Sequence, residues 1–230
     1  MKNLIILHGA LGAKSQFEQL IPQLAEHFNV YTFDFSGHGA KAMEDETFSI
    51  HLFVQNLKAF MEQREIQKPL IFGYSMGGYV ALKLESLEKN SFERIVTLGT
   101  KFDWTPESAE QEAKMLNAEK IEEKVPAFAA YLKSLHGENQ WKKVLQKTGT
   151  MMLELGNKPA LKPYDFHQVE IPVLLLRGEN DVMVTEKETT EAQHLLGNGS
   201  YREVAEWPHP INLVPSDQLI QQLLSSYLPG

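Results

Sequence analysis

Six short apolar runs, separated by longer stretches with helical spacing, limit the architecture of this chain more than any other feature. The runs are Leu4 to Leu7, Val30 to Phe33, Leu70 to Phe72, Arg94 to Leu98, Val173 to Leu176 and Tyr201 to Val204. Several show no polar alternation, the pattern of strands covered by helices on both faces of a parallel sheet. Segments 15–28, 48–66, 76–90, 185–197 and 216–227 carry apolar residues at helical spacing, for example Phe53, Leu57, Phe60 and Met61. Strand-helix alternation predicts an α/β fold with a mostly parallel sheet of about six strands flanked by helices. Right-handed crossovers bring the C-terminal ends of the strands to one edge, where such sheets bind ligands.

The alternation stops between Lys101 and His167. Thr105-Pro106 and Val125-Pro126 read as helix starts with proline in the first turn, and Gly137 reads as a stop. A third helical run extends from about Gln140 to Leu155, weakened by Gly149. A helical insertion between two strands of a parallel sheet lies over the sheet edge. Residues 101–168 are therefore expected to form a lid or cap on a core made of 1–100 and 169–230. The alternative is a separate helical domain, against which the resumption of strands weighs.

Composition narrows the function. No stretch reaches eighteen uninterrupted apolar residues, so no spanning helix is expected, and no helix has the basic amphipathic pattern of a membrane-surface binder. A formal net charge of −8 without a visible basic patch argues against nucleic acid as a partner. Zero cysteines remove disulfides, thiolate metal sites and cysteine nucleophiles together. The opening Met1-Lys2-Asn3 followed by Leu4 to Leu7 is too short for a signal peptide and reads as a strand, which makes a cytoplasmic protein the expectation. Neither a HExxH nor a two-histidine-carboxylate pattern is present, and no metal or other cofactor is expected.

The chemistry concentrates where Leu70-Ile71-Phe72 runs into Gly73-Tyr74-Ser75-Met76-Gly77-Gly78 and then into helix-like sequence. Strand, tight turn and helix give G-x-S-x-G its meaning: the serine takes a strained conformation and its hydroxyl stands beside a helix N-terminus. A serine hydroxyl needs a base, and the base an orienting acid. Asp181 follows the run Val173 to Leu176 through Arg177-Gly178-Glu179-Asn180, and His209 follows Tyr201 to Val204 through Glu206-Trp207-Pro208. Asp103 is a rival acid and Glu179 a weaker one. An oxyanion would be met by the backbone N–H of Met76 and by that of Ala10 in the His8-Gly9-Ala10-Leu11-Gly12 loop. A phosphate-loop reading of His8 to Ser15 fails, because GxxxxGK[ST] needs glycine where His8 and Ala13 stand. His27, His51, His136 and His194 lie in or at the ends of helix-like segments and receive no role.

These segments together resemble the lid-bearing, lipase- or esterase-like branch of the α/β-hydrolase superfamily. The matching stretches are HGALGA after the first strand, DFSGHG at Asp34 to Gly39, GYSMGGY, GENDVMV around Asp181 and HPINLVP around His209. The resemblance implies Ser75 as nucleophile, His209 as general base and then acid, Asp181 as the orienting carboxylate, and the amides of Ala10 and Met76 as the oxyanion hole. It implies that His8, Gly37, His38 and Gly39 are structural or shape a pocket. The first strand resembles the family's third, so the usual initial hairpin is not expected here, and Pro208 stands where the family commonly has glycine or serine. GYSMGG also resembles the menaquinone-pathway synthase branch. Tyr79 occupies the position where that branch usually carries a carboxylate-binding arginine, which disfavours it.

The expected activity is hydrolysis of a small or medium carboxylic ester through an acyl-enzyme, with a small-molecule acyl substrate as partner. Leu11 is a pocket candidate from the first loop, and Phe102, Trp104, Phe128, Tyr131 and Trp141, with Met151 and Met152, supply apolar surface from the lid, each equally able to be lid core. Carbon-carbon bond hydrolysis, lyase-like elimination or perhydrolysis on the same triad, and a non-catalytic binding protein on the same scaffold, are the alternatives.

Overall fold

Residues 1–41 and 46–228 are described by the structure, a computed structural model. The sheet consists of β1 (Lys2–Leu7), β2 (Phe28–Thr32), β3 (Leu70–Tyr74), β4 (Arg94–Leu98), β5 (Val173–Asn180) and β6 (Gly199–Pro208). Its order is β2-β1-β3-β4-β5-β6 and every neighbouring pair is parallel. Alternate residues of each inner strand feed two separate cores: Ile5, Leu7, Ile71, Ile95, Val173 and Leu175 point to one. Leu4, Ile6, Phe72, Val96, Leu174 and Leu176 point to the other. Burial on both faces is why these strands read as unbroken apolar runs.

The helices are α1 (Ile21–Leu24), α2 (Ile50–Gln63), α3 (Met76–Leu87), α4 (Pro106–Met115), α5 (Ala118–Lys124), α6 (Pro126–His136), α7 (Trp141–Asn157), α8 (Pro163–His167), α9 (Glu186–Leu195) and α10 (Ser216–Tyr227). The single helix expected over 15–28 does not form. A 3-10 turn at Lys14–Phe17 and the four-residue α1 replace it, and Phe28 already opens β2. Pro22 is the physical reason: it has no N–H to give, so it is accommodated only in the first turn of a helix. Among the described residues no helix is long and apolar enough to cross a membrane.

Between β4 and β5 the regular elements are all helices, α4 to α8. Thr105 caps α4, its hydroxyl accepting the Ser108 N–H at 3.1 Å, and α6 ends at Gly137 with φ 82°. Ile121, Ala129, Leu132, Trp141 and Leu145 form a small core of their own. Val144, Met151, Leu155, Leu161 and Phe166 join the main core instead. Gly149 does not interrupt α7. Gly156 in its last turn allows α4 to lie against it, because a Cβ there would be 2.5 Å from the Ala109 Cβ and 2.8 Å from the Thr105 carbonyl oxygen. The α8 end is tied to the sheet helices by Lys83, whose ammonium donates to Asp165 at 2.8 Å.

Candidate active site

Ser75 stands where β3 gives way to α3, with φ 50° and ψ −117°. Few non-glycine residues adopt such a conformation, and it persists only where the surroundings impose it. Here the imposing feature is the close approach of α3 to β1: a Cβ on Gly77 would lie 2.5 Å from the Leu7 carbonyl oxygen. The Ser75 N–H donates to the Leu98 carbonyl at 2.8 Å, and its own carbonyl accepts the Gly78 N–H and the Thr100 hydroxyl. With its backbone fixed on both sides, the serine side chain is held at the start of α3, where unpaired N–H groups and the helix dipole favour negative charge.

The sheet order explains why this point is a crevice. From β1 the chain leaves to β2 on one side, and β3 lies on the other side of β1. The loops after β1 and β3 therefore diverge, as at the switch points where open α/β sheets bind ligands. Ala10 follows β1, Ser75 follows β3, and both line one cavity together with Met76 and His209.

The loops after β5 and β6 bring a carboxylate and an imidazole together. Asp181 Oδ2 lies 2.8 Å from His209 Nδ1, and Oδ1 accepts the N–H groups of Met183 and Val184, each at 2.9 Å. Both side chains are buried. Burial alone pushes the Asp181 carboxyl upward. The hydrogen bond from His209, its charge and the two backbone N–H donors outweigh it, and the net shift is downward. A carboxylate can only accept, so the proton between them sits on Nδ1 of His209, and Nε2 is the ring nitrogen turned from Asp181. Asp103 is exposed and its N–H points to Glu188, while the Glu179 carboxylate accepts the Glu206 N–H. Of the three acids considered from the sequence, Asp181 is the one bonded to His209.

Among the residues expected to line a pocket, Trp104, Met151 and Met152 lie on the wall of the Ser75 cavity. The others are placed elsewhere. Phe102 packs between Tyr79 and Phe166, Trp141 is in the small core of the inserted helices, and Phe128 is 37% exposed. Tyr131 accepts a hydrogen bond from the Gln16 amide at 2.8 Å. Leu11 packs against two cores and presents its carbonyl to His136. The internal space left beside Ser75 is about 40 Å³, enough for a water or two.

Several contributors had no signal in the sequence. The Tyr74 hydroxyl donates to the His209 carbonyl at 2.9 Å. Arg177 secures the Asp181 loop through donors to the Val184 and Asp181 carbonyls at 2.7 and 3.1 Å. Lys101 and Glu112 sit on the cavity wall, their charged atoms 3.7 Å apart. Burial pushes the Glu112 carboxyl up, with Lys101 and His209 opposing. Lys101 follows β4 closely, and Glu112 is brought to it on α4, which packs against α7.

Residues 2–155 match the sequence profile of the alpha/beta hydrolase fold family. The chain belongs to this family. Curated relatives of this α/β-hydrolase carry esterase and lipase names, though the chain spans only about a third of the length of these two. A provisionally named non-heme chloroperoxidase of Synechocystis is 22% identical over 96% of this chain and 90% of its own. An sn-1-specific diacylglycerol lipase of Danio rerio is 31% identical over 41% of this chain, which spans 30% of that relative's length. The solved enol-lactonase of Burkholderia xenovorans has the same fold, with a TM-score of 0.76 at 18% identity, covering 98% of this chain and 91% of that one.

Proposed function

We propose that this α/β-hydrolase cleaves a small or medium carboxylic ester through an acyl-enzyme on Ser75. The observation that carries the reading is a strained serine at the start of α3, in one cavity with an imidazole whose far nitrogen is bonded to a buried carboxylate. The Ser75 oxygen attacks the ester carbonyl as His209 Nε2 takes its proton. The oxyanion is met by the N–H groups of Ala10 and Met76. Collapse expels the alkoxide, which leaves as the alcohol with the proton returned from His209, and water repeats the sequence to free the acid.

In this reading residues 101–168 act as a lid over the sheet edge, supplying Trp104, Glu112, Met151, Met152 and Leu155 to the cavity wall. The apolar side chains on this wall suit the hydrocarbon part of an acyl group. Replacing Ser75 by alanine is expected to abolish p-nitrophenyl acetate and butyrate turnover with the fold intact by circular dichroism. Unchanged turnover would refute the assignment.

A second reading is perhydrolysis on the same serine, favoured by the name of the Synechocystis relative that aligns over most of the chain. Peracid formation from acetate and hydrogen peroxide, with no ester turnover, would select it. Failure of Ser75 to react with a fluorophosphonate would instead favour a binding protein on the hydrolase scaffold.

A further inference from the structure

His136 closes the last turn of α6 and is buried against the loop that follows β1. Its Nδ1 accepts the Gly39 N–H at 3.0 Å, and its Nε2 lies 2.9 Å from the Leu11 carbonyl. A backbone N–H cannot accept and a carbonyl cannot donate, so the imidazole is the neutral tautomer with its proton on Nε2. Burial, the largest influence, lowers the basicity of His136 against the opposing pull of the Leu11 carbonyl and Asp34. This side chain thus ties an inserted helix to two core loops with one donor and one acceptor.

The loop it grips is under strain. The Gly12 N–H donates to the Gly9 carbonyl at 3.1 Å, closing a four-residue turn with Ala10 and Leu11 at its centre. Leu11 has φ 58°, a conformation that the third residue of such a turn usually meets with glycine. The Leu11 carbonyl belongs to the same turn as the Ala10 N–H, and a turn held at that carbonyl keeps the N–H in place. A second link from α6 runs through Tyr131, whose hydroxyl accepts from Gln16, itself bonded to the Ala13 N–H.

We propose that His136 is a positioning residue that couples docking of the inserted helices to assembly of the oxyanion hole. The inference rests on the reading of Ala10 as an oxyanion donor. With α6 docked, His136 holds the Leu11 carbonyl and with it the Ala10 N–H. With α6 displaced, the strained turn loses its tether and relaxes. A substrate that seats the lid thereby completes the machinery that stabilises its transition state.

Wild type, Ser75→Ala, His136→Leu and His136→Gln are compared on p-nitrophenyl butyrate, with thermal midpoints measured alongside. Glutamine offers one donor and one acceptor, leucine neither. His136→Leu is expected to lower kcat by at least about tenfold with KM within about threefold, the signature of a lost transition-state contact. His136→Gln should restore kcat to within about threefold of wild type. Should the leucine variant not fold, His136→Asn, too short to span both partners, takes its place with the same expected loss. Retained kcat in the leucine or asparagine variant, a loss confined to KM, or glutamine no better than leucine would overturn the proposal. Turnover that survives Ser75→Ala would mark instead the failure of the serine-hydrolase reading, and the inference would fall with it.

Discussion

The hydroxyl of Tyr74 donates to the backbone carbonyl of His209, 2.9 Å away, joining the residue before the candidate nucleophile to the candidate base across 135 positions of sequence. Tyr74 is buried, and burial raises its phenol well above the usual range, so it stays a neutral donor. The bond fixes the loop after β6 to the end of β3. Tyr74→Phe leaves the carbonyl without this donor, which costs about 1–3 kcal/mol of stability by urea denaturation. On the proposed mechanism kcat for p-nitrophenyl butyrate falls roughly tenfold as His209 loses its fixed position. Unchanged kcat would show that the loop is held without Tyr74.

Asp181→Asn tests the other side of the imidazole. An amide in place of the carboxylate no longer stabilises the imidazolium and allows the wrong tautomer, and kcat is expected to fall on the order of 10⁴-fold. The linkage has a definite sign. The carboxyl is shifted downward in the folded state, so Asp181 stabilises the fold at pH above the unfolded carboxyl value, and this contribution fades as pH falls through the folded value. Denaturation curves of the asparagine variant should therefore lose part of the wild-type pH dependence below about pH 4. Identical acid limbs in the two proteins would contradict this.

How far the sequence reading reached follows from what each element buries. The inner strands were legible because both faces are covered, leaving apolar runs such as Leu4 to Leu7. The edge strand β6 extends from Gly199 to Pro208, beyond the legible Tyr201 to Val204, because half of its residues face solvent and the apolar run is broken. The helices α5 and α8 escaped notice since seven and five residues are too few to show a period. Ser75, Asp181 and His209 could be named from the ends of strands, whereas Lys101 and Glu112 reach the cavity only through tertiary packing. A large apolar side chain serves a pocket wall and a core equally well, so the sequence left both open for Trp141, which is in the small core of the inserted helices, and for Phe102, which packs against Tyr79 and Phe166.

Acid should destabilise the fold well above the range of carboxylates. His8, His38 and His136 are buried, and burial lowers all three, His8 to about 4. The unfolded chain binds these protons near the ordinary histidine value of about 6.5 while the folded state refuses them, so stability falls as pH drops below that value. Each refused proton contributes a slope of about 1.4 kcal/mol per pH unit. The slope between about pH 6 and pH 4.5 should correspond to two or three protons. In His8→Gln it should lose about one of them. A flat profile down to pH 4.5 would disprove the assignment of neutral, buried imidazoles.

Gly156→Ala probes the seam between α4 and α7. The added methyl would meet the Ala109 Cβ at 2.5 Å and the Thr105 carbonyl oxygen at 2.8 Å. The second of these is backbone at the capped start of α4 and has little room to yield. The strain of overpacking is about 1–3 kcal/mol, and it falls on helices that lie outside the sheet. Amide exchange should therefore quicken in α4 and the end of α7 while β3, β4 and β5 keep wild-type protection. Since α4 carries Glu112 and α7 carries Met151, Met152 and Leu155 to the cavity wall, the proposed ester turnover should change chiefly in KM. Faster exchange spread evenly over the sheet, or none at all, would show that this seam does not open independently of the core.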